Sequence, residues 1–173
     1  MFISAVDAFP EEITFDNCLE AFKMRDELWN QYDQLSPELQ NDPDVQAAYQ
    51  KIKDINETQI WRFTIYTAYK FDGNTCTVTT YYDSKETYEY KAEGNFPCGT
   101  YTGEWSKWSD DDGDHYNQYK IELKSDNTYQ KYYRYASSEA EKETAQWYNN
   151  NAGTYKLTGD QANGGRLILK VDY

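Results

Sequence analysis

Residues 61–82 read WRFTIYTAYKFDGNTCTVTTYY, and the period of this stretch decides the fold. Trp61, Phe63, Ile65, Tyr69 and Phe71 alternate with Arg62, Thr64, Tyr66, Ala68 and Lys70, and Asp72-Gly73-Asn74 supplies a turn. Cys76, Val78, Thr80 and Tyr82 resume the alternation beyond it. A period of two on both sides of a tight turn predicts a β-hairpin with one face covered. Six further alternating runs follow: Tyr88-Tyr90-Ala92, Tyr101-Gly103-Trp105, Tyr119-Ile121-Leu123, Tyr129-Lys131-Tyr133-Tyr135, Tyr155-Leu157 and Leu167-Leu169-Val171. Gly, Asn or Asp stands between most of them, so residues 59–173 read as about eight antiparallel strands. Of the 18 tyrosines, 16 lie after Thr58, which suits strands because aromatic rings pack well on pleated surfaces.

Before Thr58 the period is helical. Phe15, Cys18, Leu19, Phe22, Trp29 and Tyr32 recur at three and four, which predicts a helix from about Asp16 to Gln34 capped by Thr14 or Asp16. Ser36-Pro37 and Asp42-Pro43 each place a capping residue before proline. From the second, Val45, Ala48, Tyr49, Ile52 and Ile55 form one apolar stripe over residues 43–56. Residues 1–58 are expected to form a helical hairpin packed on the β region, so the fold class is α+β, mostly β.

The chain of 173 residues carries 30 acidic and 17 basic side chains, a formal charge of −13. This length suits one compact unit, and 30 aromatic rings supply core area that the aliphatic content lacks. The negative excess repels phosphate backbones, so direct nucleic-acid binding is not expected. No apolar run reaches membrane-spanning length and no signal peptide is evident at the N-terminus.

Cys18, Cys76 and Cys98 are odd in number and form no CxxC pair, which argues against a zinc ribbon or a dense disulfide framework. Cys76 and Cys98 are either bridged or buried as thiols. His115 is the only histidine, so no two-histidine metal site exists; it follows Asp110-Asp111-Asp112-Gly113-Asp114 and reads as a solvated loop residue. That acidic turn lacks the glycine and glutamate placement of a calcium loop. No metal or cofactor is expected. Asn56-Glu57-Thr58 is the only glycosylation sequon.

One pattern occurs twice. Asp72-Gly73-Asn74-Thr75 leads to Gly99-Thr100-Tyr101, and Asp126-Asn127-Thr128 leads to Gly153-Thr154-Tyr155 at nearly the same interval. Two copies of two hairpins each would curl into a barrel without edges. Gly103-Glu104-Trp105, the turn from Leu123 to Tyr129, and Gly153 to Val171 with Gly159-Asp160 resemble bacterial lipocalin-like domains over residues 59–173. The chain departs from that pattern in its long helical segment before the first strand and in lacking Gly-x-Trp on that strand. The resemblance implies an extracytoplasmic barrel, with its signal trimmed, that binds a small apolar molecule or another protein.

These features point to one function class, leave a second open and exclude the marks of a third. A non-enzymatic binding module would use Trp105, Trp108, Tyr129, Tyr133, Tyr135, Trp147 and Tyr148 as stacking contacts for a small apolar or aromatic ligand or a protein partner. An acidic inhibitor or adaptor of mobile-element or anti-defence type would block a basic surface of a nucleic-acid-handling complex through Asp110, Asp111, Asp112, Asp114, Glu139, Glu141 and Glu143. That reading implies a cytoplasmic protein, as do Met1 and the unpaired cysteine. Enzymatic activity is not expected, because no phosphate loop, HExxH or nucleophile elbow occurs and the carboxylate groups sit in polar loop-like stretches. Oligomeric state stays open, since the helix stripes can be covered in cis or by a second chain.

Overall fold

The computed structural model describes residues 1–172, and the chain divides into two units, one over Met1–Phe63 and the other from Thr64 onward.

In the first unit, α1 (Phe2–Asp7) is followed by α2 (Cys18–Asp33), α3 (Pro37–Gln40) and α4 (Pro43–Thr58). The hairpin of α2 and α4 matches the periodicity. Its starts differ in detail: Asn17, not Thr14 or Asp16, is the residue before α2, and its Oδ1 accepts from the Thr14 amide at 2.7 Å. Asp42 caps α4 by accepting from the amides of Asp44 and Val45, whereas Ser36 opens only the four-residue α3. The first helix was not predicted, since six residues carry too few turns for a periodicity to register. Phe2 and Val6 hold it by burying one face. Tyr32 and Tyr49 stack at 4.2 Å between α2 and α4. Arg25 is buried on α2; its guanidinium bonds Asn56 Oδ1 and Asp26 and lies over the Phe22 and Trp29 rings. Asn56 is itself buried, so the sequon is closed to glycosylation in the folded chain.

The second unit contains β1 (Phe63–Asp72), β2 (Thr75–Thr80), β3 (Lys85–Ala92), β4 (Gly99–Gly103), β5 (Ser106–Asp110), β6 (Gly113–Leu123), β7 (Thr128–Ala136), β8 (Tyr148–Asp160) and β9 (Gly164–Val171). Phe63, the first residue of β1, belongs to the helical unit. Eight strands close an antiparallel barrel: each pairs with the next, β4 pairs with β6, and β9 returns to β1. The ninth, β5, is an arm paired along the first half of β6. This architecture is compatible with a lipocalin-like fold.

Two local features modify the predicted alternation. A register shift at Thr67 puts Tyr66 on the inner face together with Tyr69, where strict alternation would have opposed them. The two Gly-Thr-Tyr segments are not equivalent: Gly99 opens β4, but Gly153 lies within β8, and β7 alone replaces the β2–β3 pair between turn and glycine. A Cβ on Gly153 would collide with the Lys170 carbonyl, so this glycine serves the close approach of β8 to β9.

The barrel core consists mainly of tyrosine. Tyr69 donates to the Thr158 carbonyl (3.0 Å), Tyr90 to Cys98 (2.9 Å), Tyr101 to Pro97 (2.9 Å) and Tyr155 to Lys124 (2.8 Å). Each ring thus buries its apolar body while its hydroxyl reaches a backbone acceptor, which removes the penalty of an orphaned polar group. Burial raises the Tyr66, Tyr88 and Tyr101 phenols far above their usual range and pushes Tyr155 up to about 12. All three cysteines are free thiols, so Cys76 and Cys98 are not bridged, and burial pushes Cys76 up to about 11.

Candidate functional site

The interior is full. Tyr66, Tyr69, Phe71, Tyr88, Phe96 and Tyr101 surround a void of about 20 Å³, space for a single water. That void is too small for an organic ligand.

Strand parity places the site elsewhere. Residues directly opposite in an antiparallel ladder point to the same side. On β6 and β7, Leu123 faces Tyr129, Ile121 faces Lys131, Tyr119 faces Tyr133 and Asn117 faces Tyr135; β5 adds Trp108 opposite His115, and β8 adds Tyr148 opposite Tyr133. The first pair is core. Farther along the same face the rings are open: Trp108, Tyr119, Tyr133, Tyr135 and Tyr148 are between 39% and 56% exposed. The inner surface of β5–β8 therefore continues past the barrel rim as an uncovered aromatic platform.

Part of this platform is pinned. His115 stacks on Trp108 with ring centroids 4.1 Å apart, its Nε2 is 2.7 Å from Asp110 Oδ1, and its Nδ1 is 2.5 Å from the Tyr135 hydroxyl. Trp108 Nε1 lies 2.8 Å from the Asn117 side-chain amide, within reach to donate to its oxygen once that amide is turned. The expectation of a solvated loop histidine is corrected: His115 is a strand residue whose side chain is 14% exposed, because β5 and β6 extend the hairpin on either side of the acidic turn. Tyr133 and Tyr148 form a second, tilted pair at 5.8 Å.

At the rim the platform meets a cleft of about 560 Å³ between Lys85–Tyr88 of β3 and Gly103–Ser106, with Tyr119 and Lys131 also lining it. The Lys131 ammonium lies 4.8 Å from the Tyr119 ring centroid. Burial lowers its pKa from the usual lysine value, an effect that the Glu86 carboxylate opposes. Glu86 accepts from the Tyr88 hydroxyl at 2.5 Å.

The predicted contact residues separate by parity. Trp108, Tyr133, Tyr135 and Tyr148 lie on the platform, but Tyr129 is only 2% exposed and belongs to the core, its hydroxyl bonded to Asn151 at 2.9 Å. Trp105 and Trp147 instead sandwich the Arg134 guanidinium at 4.7 and 4.5 Å, and Arg134 bonds Gln118. Arg134 alternates with Tyr133 and Tyr135 along β7, so this sandwich occupies the opposite side of the sheet. Trp105 nevertheless borders the cleft.

The acidic residues do not form one cluster. Asp111 and Asp112 form the β5–β6 turn, with Asp110 ending β5 and Asp114 near the start of β6, and Glu139, Glu141 and Glu143 lie in the 3-10 turn region between β7 and β8. Lys107 pairs with Asp114 and Lys142 with Glu139, both at 2.9 Å, while Ser137 donates to Glu141. Hydrogen bonds from these partners, His115 for Asp110 and Ser109 for Asp114, hold the Asp110, Asp114, Glu139 and Glu141 carboxyls below their usual range.

Lys131, Tyr119, Glu86 and His115 were absent from the predicted contacts. Lys131 had a readable signal, being the one cation at an alternating position otherwise held by Tyr129, Tyr133 and Tyr135. No protein-family model, curated protein or solved structure matches the chain.

Proposed function

We propose that this is a non-enzymatic binding protein that takes a small aromatic ligand in the cleft at the barrel rim, with the adjoining rings of the platform as stacking faces. One observation carries the reading: the inner face of β6 and β7 passes without a change of parity from a filled core to exposed rings beside a cleft of about 560 Å³. That volume suits a small organic ligand, and Tyr119, Tyr88 and Trp105 supply aromatic walls around a few polar groups. Pinning of Trp108, His115 and Tyr135 also reduces the ordering cost of a contact made there.

Naphthylmethanol, an uncharged aromatic probe, tests this. Its binding is expected to saturate, to shift the NMR signals of Tyr119 and Tyr133, and to weaken at least about tenfold in Tyr119→Ala, the scale of losing one stacked ring. Tyr132→Ala, altered on the other face of β7, is expected to bind as the parent does. Shifts confined to the helical unit, or equal loss in both variants, would refute the reading.

A further inference from the structure

Within the cleft one charged group stands out by its lack of a partner. Among the described residues, the Lys131 ammonium has no hydrogen-bond acceptor and no carboxylate within ion-pair distance; it lies over the Tyr119 ring and feels Glu86 through its longer-range field. The other charges of the cleft are differently placed. Glu86 is already bonded by Tyr88, and Lys85 and Glu104 are exposed at the lip, where water screens them. A partly buried ammonium without an oxygen partner has its desolvation penalty only partly offset, here by the Tyr119 ring and the field of Glu86, so an anion arriving there gains more than it would from a surface lysine.

From this geometry we infer that the ligand of the cleft is an aromatic carboxylate, its ring against Tyr119 and its carboxylate on the Lys131 ammonium. The inference rests on the cleft being the binding site. A cation over the Tyr119 face also leaves that ring's edge and the neighbouring Tyr133 free to meet the ligand's aromatic part. The small void inside the barrel keeps the ligand at this depth, within reach of Lys131.

Naphthoate and its uncharged analogue naphthylmethanol differ mainly in the acid group, and titrating both against the full chain isolates it. Naphthoate is expected to bind at least about tenfold more tightly, the range for a hydrogen bond to a charged group. Lys131→Met should erase that preference, and Lys131→Arg should retain it; thermal melts establish that both variants are folded. Equal binding of the two probes to the parent chain, or a preference that survives in folded Lys131→Met, overturns the carboxylate inference and leaves the cleft reading standing. Failure of both probes to bind overturns both.

Discussion

Tyr129 and Tyr133 lie four residues apart on the same strand and the same face, yet one is 2% exposed and the other 39%. Nothing in their own chemistry separates them. Around Tyr129 the barrel is closed, and its hydroxyl is met by Asn151; Tyr133, opposite Tyr119 on β6 and tilted against Tyr148, stays open to solvent. A tyrosine suits either fate because its ring gains from burial and its hydroxyl tolerates both a carbonyl and solvent. The same residue type therefore builds the core below the rim and a contact surface above it. What distinguishes core from site is closure of the barrel, a property of strands distant in sequence.

The largest expected effect breaks this comparison directly. Tyr129→Ala should lower unfolding free energy by about 3–5 kcal/mol, as for other large aromatic truncations in cores. Tyr133→Ala should change it by no more than about 0.5 kcal/mol, the usual range for exposed positions. Chemical denaturation of the two variants beside the parent measures both, and equal losses would place Tyr133 in the core.

Alkaline titration sharpens the contrast next. Burial raises the phenol pKa of Tyr66, Tyr88, Tyr101 and Tyr155 above the unfolded value of about 10, so folding favours the protonated form. Their contribution is complete below about pH 10 and is lost as pH rises through the folded values. Ionisation of these rings should therefore coincide with loss of the β circular-dichroism signal. Tyrosinate absorbance that reaches completion with the barrel intact would contradict the assignment.

A smaller effect is expected at the turns, where carboxylates are exposed. Thr128 holds the Asp126 carboxyl below its usual range through its hydroxyl and its amide, and Asn163 does so for Asp160. A depressed pKa contributes stability above the unfolded value of about 4, and that contribution is lost as pH falls through the folded value. Melting temperature should fall on acidification in that window, with a shallower fall in Asp126→Ala. An identical slope in the variant would remove the Asp126 turn from the account.

Much of the architecture was legible because its signals are local. Ser36, Asp42, the Asp72-Gly73-Asn74 turn and the alternation after Thr58 act over two to four residues, and each formed the element it predicts. α1 and β5 were missed for the opposite reason: one is too short to show a period, and the other, Ser106–Asp110, is exposed throughout and shows no apolar alternation. The candidate site was legible as a list of aromatic residues but not as an arrangement. Parity along β7 already opposed Tyr132 to Tyr133 and Tyr135; it could not say that Tyr129 would be covered and Tyr133 left open. Trp105 and Trp147 were indistinguishable by type from Trp108, and only the position of Arg134 between them marks a different role.

By itself the amino-acid sequence determined a helical N-terminal segment, an antiparallel β region and a tyrosine-rich inner face, since these depend on backbone turns and on periods read along the chain. Only the tertiary structure decided that eight strands close while the ends of β5–β8 run past the closure, that the core void is small, and that Lys131 stands at the rim with no oxygen partner among the described residues. Those outcomes depend on which strands meet around the barrel, and such long-range pairings leave no mark within any single stretch of sequence.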